Sequence, residues 1–129
     1  MDWIENQWLM MYKVIVAGSR TFDNYELLET TLVHFLTGKR PSEVEIVSGT
    51  ARGADKLGER FAKEKKCKLT KFVPDWDTYG KSAGYRRNVE MANYADACIV
   101  YMKKEGSKGS QHMINIASKL GLEVVIVNF

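Results

Sequence analysis

The sequence predicts an α/β fold: a Rossmann-like, three-layer domain with a mostly parallel five-stranded sheet and helices on both faces. Three observations predict it. Short apolar runs alternate along the chain with segments in which Leu, Ala, Met and Phe recur at three- and four-residue steps. Most of those runs lack the polar alternation of a half-exposed strand, as strands covered on both faces do. Strand, helix and strand in steady succession is the order of a parallel sheet joined by right-handed crossovers. With 129 residues the chain is long enough for one core and too short for two, so residues 12–129 read as a single domain.

The first strand is predicted at 13–17, where Val14, Ile15 and Val16 follow one another. A helix over 25–36 follows from the spacing of Leu28, Leu32 and Phe35. The run 44–47 is the second strand, and the helix 55–66 carries Phe61 and Ala62 on one stripe. A weaker strand occupies 68–73, where lysines interrupt the apolar residues. The helix 82–94 rests on Ala83, Met91 and Ala92, the strand 97–102 is continuously apolar, and Met113, Ala117 and Leu120 mark a helix over 111–120. The last strand is 123–127. Residues 1–11 form an N-terminal extension with Trp3, Ile4, Trp8 and Leu9 beside Asp2 and Glu5. It reads either as a short helix packed on the domain or a second subunit, or as a frayed tail ahead of a start near Met10 or Met11.

Composition excludes several classes. Hydrophobic residues make up 45% and charged residues 27%, and no apolar run approaches the roughly 20 residues that cross a bilayer. The N-terminus has no basic region followed by an apolar segment, so no secretory signal is expected. Net charge is only +3, which favours a local anion site over a broad nucleic-acid surface. Cys67 and Cys98 lie far apart with no clustered His or Cys, so they read as reduced thiols in a cytoplasmic protein, with no metal site.

In a doubly wound sheet, ligands bind outside the carboxyl ends of the strands, so the loops that follow strands carry the functional information. The first is Gly18-Ser19-Arg20-Thr21-Phe22-Asp23, whose single glycine rules out the standard dinucleotide fingerprint. It can still offer backbone donors, a hydroxyl and a guanidinium to a phosphate or ribose, or Arg20 can simply pair with Asp23. The second, Ser48-Gly49-Thr50-Ala51-Arg52-Gly53-Ala54-Asp55, combines small residues, a helix N-terminus and an arginine, as a phosphate loop does. An ordinary strand-to-helix turn would look much the same. Asp55 suits an N-cap, while either Asp55 or Glu59, one turn further on the same face, can serve as ribose ligand or general base.

The third segment, 74–88, is too long and aromatic for a simple connector. Trp76, Tyr79 or Tyr85 can stack on a base, and Arg86, Arg87 and Asn88 can reach a phosphate, ribose or base edge. Alternatively the aromatics cover the sheet edge and the arginines are solvated. The fourth, 103–111, offers Lys103, Ser107, Lys108, Gly109 and Ser110 for a second phosphate contact. His34 reads as structural, and His112 as a capping, surface or ligand-touching residue.

Taken in order, Gly18-Ser19-Arg20 with Phe22 and Asp23, Gly49 to Asp55 with Gly58 and Glu59, Trp76, Tyr79-Gly80-Lys81, Ala83-Gly84, Arg87-Asn88, Ser107, Gly109-Ser110 and His112-Met113 form a specific set. From Tyr12 to Phe129 the chain resembles the YspA, or YpsA-related, branch of the SLOG superfamily. That superfamily is similar to Rossmann folds and includes lysine-decarboxylase-like phosphoribohydrolases, the DNA-processing protein A group and sensors of nucleotides related to ADP-ribose. The branch occurs in bacteria and their phages. The resemblance implies a ligand site of Gly18, Ser19, Arg20, Gly49, Thr50, Arg52, Gly53, Asp55, Trp76, Arg87, Asn88, Ser107, Gly109 and Ser110.

Three departures stand out: Ser110 replaces the family's usual Thr, Tyr85 its usual Pro, and Met113 the catalytic Glu of the phosphoribohydrolases. The leading expectation is binding or sensing of a nucleotide or ADP-ribose-like molecule, with no further cofactor. The alternatives are a nucleoside 5′-monophosphate glycosidase and single-stranded DNA binding. A homodimer or homotetramer is also expected, from the Trp-containing N-terminus and the exposed sheet edges.

Overall fold

The computed structural model describes residues 11–129, and the expectations for the N-terminal extension lie outside them but for its last residue. One sheet organises the chain: β1 (Tyr12–Gly18), β2 (Val44–Ser48), β3 (Lys68–Lys71), β4 (Ala97–Met102) and β5 (Glu123–Asn128). Their spatial order is β3-β2-β1-β4-β5. All four pairings are parallel, so the sheet expected to be mostly parallel is wholly so. Five helices connect the strands: α1 (Tyr25–Phe35), α2 (Ala54–Lys65), the four-residue α3 (Trp76–Tyr79), α4 (Ala83–Tyr94) and α5 (Lys108–Lys119).

The pleat sorts the core into two halves. Val14 and Val16 of β1 and Ile99 and Tyr101 of β4 pack with Leu28 and Leu32 of α1 and Phe61 of α2. Ile15, Val47, Cys98 and Val100 face the other way, onto Met91 of α4 and Met113 and Ala117 of α5. Successive side chains of a strand point to opposite faces, so an unbroken apolar run is what a sheet between two helical layers requires. The weak strand is the exception: β3 is an edge strand with exposed lysines at both ends, and it stops at Lys71 rather than reaching residue 73.

Two helix starts differ from the sequence expectation for local reasons. The helix expected over 82–94 is α4, which starts one residue later at Ala83, and a short extra helix precedes it in the segment read as a loop: Asp75 caps α3 by accepting from the Thr78 N–H at 3.1 Å, and Gly80 at φ 54° ends it. The last helix begins at Lys108 rather than residue 111, because Ser107 caps it.

The chain passes from β3 across β2 and β1 to β4, which reverses the winding between β1 and β4. At such a switch point the loops leaving the two strands diverge and a crevice opens between them. No helix among the described residues is long and apolar enough to cross a membrane.

Candidate functional site

The crevice is a cleft of about 320 Å³, lined among others by Gly18, Ser19, Arg20, Asp55, Arg87, Asn88, Lys103, Ser107, Gly109 and Ser110. Its walls come from the loop after β1, the start of α2, the cleft-facing stripe of α4 and the first turn of α5. Met91 and Met113, both buried, give it an apolar side.

The β1 loop is held down by backbone. The Ser19 N–H donates to the Tyr101 carbonyl at 2.9 Å, and the Ala54 N–H donates to the Ser19 carbonyl at 3.2 Å. The close approach requires glycine at both ends of the contact. A Cβ on Gly53, at φ +78°, would lie 2.2 Å from the Ser19 carbonyl oxygen, and one on Gly18 would lie 2.3 Å from that of Tyr101. The Thr21 N–H donates to Ser19 Oγ at 3.2 Å, a local turn that leaves Arg20 exposed at the cleft.

The glycine-rich loop after β2 lies mostly behind the cleft. Ala51 and Asp55 line it, whereas Gly49, Thr50, Arg52 and Gly53 do not, and Arg52 is exposed. The Gly49 carbonyl accepts from Arg87 Nη1, and Arg87 Nε donates to Asn88 Oδ1 at 3.1 Å. The Gly49 backbone and the Asn88 amide therefore fix the Arg87 guanidinium in place. Ser48 Oγ accepts from the Thr50 N–H at 3.0 Å and donates to Glu59 Oε2 at 2.7 Å, which latches the loop onto α2.

The two acids separate. Asp55 is not the N-cap the sequence suggests: Gly53 occupies that position, and the buried Asp55 carboxylate instead accepts from the Ala51 N–H at 3.2 Å. Burial pushes its pKa up to about 6, against the Ala51 hydrogen bond and the opposing charge of Arg87. Glu59 does not line the cleft; besides Ser48, its carboxylate meets Lys56 at 3.5 Å and Lys71 at 3.6 Å. Of the two candidate bases, only Asp55 reaches the cleft.

On the far wall the first turn of α5 faces the cleft with Gly109 and Ser110, and the Ser107 side chain accepts from the Ser110 N–H at 3.4 Å. Asn88 ties this turn to α4, donating from Nδ2 to the Gly109 carbonyl at 3.4 Å and meeting His112 Nδ1 at 3.1 Å. Burial lowers the pKa of His112, and Tyr85 packs against its imidazole at 4.6 Å. Trp76 stands outside the cleft lining, half exposed. Thr21, Ala51 and Met91 line the cleft without having been singled out from the sequence. For Met91 the signal was available, since it continues the three- and four-residue spacing of Arg87 and Asn88 on α4. Among the described residues, no cluster of three or more His, Cys, Asp and Glu side chains is arranged to hold a metal ion.

Comparison with known proteins matches residues 12–79 to a family model described as YAcAr: YspA, cpYpsA-related SLOG family. The Gene 61 protein of Mycobacterium phage D29 is 31% identical over 121 residues, which cover 89% of this chain and 95% of that protein. Among solved structures, DNA processing protein A from Streptococcus pneumoniae superposes with a TM-score of 0.68 at 19% identity, over 94% of this chain and 51% of that one. The chain thus spans about half of that protein. The structural-genomics protein TM1055 superposes with a TM-score of 0.64 at 20% identity, over 88% of this chain and 72% of that one. At these identities the two structures speak for the fold alone.

Proposed function

The chain belongs to the YspA, cpYpsA-related SLOG family, and from that premise we propose that its cleft binds a nucleotide or a nucleotide-derived phosphate ester. One observation carries the reading: Arg20, Arg87, Lys103 and the amino end of α5 converge on a single cleft whose remaining ionisable wall is the buried Asp55. The first-turn N–H groups of Lys108 and Gly109 have no acceptor within the helix, and the helix dipole adds partial positive charge there, so a phosphate seats on that turn. Arg20 supplies a two-pronged donor from the opposite loop. Asp55 accepts from ribose hydroxyls, and the thioethers of Met91 and Met113 lie against the sugar.

Of the two phosphate positions the sequence suggests, the loop at 49–55 and the turn at Gly109-Ser110, this reading keeps the second. The glycine-rich loop becomes the support that holds Arg87 and brings the β1 loop close. Titration calorimetry with ribose 5-phosphate, AMP, ADP-ribose, cyclic ADP-ribose and NAD tests it. Arg20→Ala is expected to weaken the bound ligand by about 10- to 100-fold, the scale of a lost hydrogen bond to a charged group. Arg52→Ala, outside the cleft, is expected to change affinity less than about twofold. Equal effects of the two substitutions would refute the assignment.

A second reading rests on Asp55, whose raised pKa suits proton transfer near neutrality. Here the Asp55 carboxylate takes a proton from water as the water oxygen bonds to the anomeric carbon, the base leaves with the electron pair of the N-glycosidic bond, and the proton passes from Asp55 to it. Met113 lines the cleft where the resemblance would put a catalytic Glu, so this reading has Asp55 as its acid-base group. Chromatography of each titrated mixture separates the two readings: intact ligand supports binding. Free base formed by the native chain but not by Asp55→Asn supports hydrolysis.

A further inference from the structure

Met91, Asn88 and Arg87 of α4 line the cleft, and the same helical stripe continues past the lining to Gly84, one turn nearer the helix start. At Gly84 the stripe has no side chain, and Trp76 occupies the space. Its Cη2 atom lies 3.5 Å from the point where a Gly84 Cβ would sit, and Arg87 Nη2 lies 3.8 Å from the same point. A half-exposed indole therefore stands beside the guanidinium that lines the cleft.

The other exposed aromatics nearby are occupied. Arg86 lies over the Tyr79 ring at 4.1 Å, and Tyr85 packs edge-on to His112. Among the described residues no ring or cation falls on Trp76, even though half of the largest apolar side chain type is left in water. The size of the cleft adds a second constraint. About 320 Å³ is at the lower end of the roughly 300–1,000 Å³ of small-molecule pockets, a size that suits a ligand on the scale of a single nucleotide.

We infer that Trp76 is the base platform of this site: the ligand is a nucleoside 5′-phosphate whose base leaves the cleft past Arg87 and stacks on the Trp76 indole. The inference rests on the proposed phosphate site and adds the subsite that tells a nucleotide from a bare sugar phosphate. Stacking on an aromatic side chain is tolerant of base identity, since every base offers a π-face, so the platform selects for a base without selecting strongly which one. The chemistry is shared by a free nucleotide and by the 5′-phosphorylated end of a nucleic acid strand.

The test compares ribose 5-phosphate with AMP by titration calorimetry on the full chain, in the native protein, Trp76→Ala and Trp76→Phe. AMP is expected to bind the native protein at least about fivefold more tightly than ribose 5-phosphate. Trp76→Ala brings AMP down to the affinity of ribose 5-phosphate, and Trp76→Phe retains most of the preference. Native protein that binds both equally, or a preference that survives Trp76→Ala, overturns the platform while leaving the phosphate site standing. Failure of both compounds to bind overturns the phosphate site itself. A 5′-phosphorylated oligodeoxyadenylate identifies the source: tighter binding than AMP, lost in Trp76→Ala, assigns the platform to a strand end. Weaker binding than AMP assigns it to a free nucleotide.

Discussion

Asp55 shows how one carboxyl group takes its properties from position rather than from sequence spacing. Burial favours its neutral form and raises its pKa from 3.8 to about 6. An acid whose folded-state pKa is raised contributes stability below its ordinary pKa and loses that contribution as the pH climbs through the raised value. Between pH 4 and pH 7 this one group therefore lowers stability by on the order of 3 kcal/mol. Asp55→Asn removes the ionisation while keeping an acceptor for the Ala51 N–H. Its Tm relative to the native protein is expected to rise steadily across that pH range, and a pH-independent difference would show that Asp55 titrates normally. Gly53 makes the opposite case, in which backbone alone decides. Its positive φ and the 2.2 Å that would separate a Cβ from the Ser19 carbonyl oxygen make Gly53→Ala incompatible with the two loops touching. A loss of at least about 3 kcal/mol in urea unfolding is expected.

At the scale of elements, the amino end of α5 matters most. Gly109 and Ser110 are poor helix formers, which is why the sequence pattern alone starts this helix at 111. The Ser107 cap takes the Ser110 N–H and draws both residues into the first turn, where they line the cleft. Ser107→Ala is expected to lower stability by about 1 kcal/mol in urea unfolding, and also to weaken AMP binding because the turn frays. Gly109→Ala separates these effects. A Cβ there meets nothing within 4 Å, so the variant should be as stable as the native chain or more so by up to about 1 kcal/mol. Any loss of AMP affinity then reports steric exclusion of the ligand rather than unfolding. The helix α4 was legible and the short α3 ahead of it only in part: Asp75, Gly80 and Ser82 are turn and cap residues in the sequence, but their pattern does not say that Trp76 folds back over Gly84.

For the whole molecule, the test of a cooperative fold lies at Cys98, fully buried on β4 with its thiol pKa pushed up to about 12 by desolvation. A thiol reagent is expected to label Cys98 only when the whole sheet opens, so its rate should fall with every stabilising substitution and with saturating ligand. Saturation at about 100 times Kd should itself add about 2.7 kcal/mol, which corresponds to a rise in Tm on the order of 10 °C for a domain of this size. Strand order along the chain, the two-sided burial of β1 and β4, the poverty of β3 and the loops worth inspecting were all legible in the sequence. Local spacing and composition record which residues leave water, and the hydrophobic effect acts on that record directly. The sequence did not reveal that Asp55 faces the cleft while Glu59 is held by Ser48 and lysines, that Arg52 faces solvent, or that the glycine-rich loop supports Arg87 from behind. These outcomes depend on contacts between Gly49 and Arg87, Ser19 and Ala54, and Gly18 and Tyr101, residues up to 83 positions apart. Such long-range contacts carry no local periodicity: the switch between β1 and β4 brings the loops together, and only the packed sheet decides which side chains meet there.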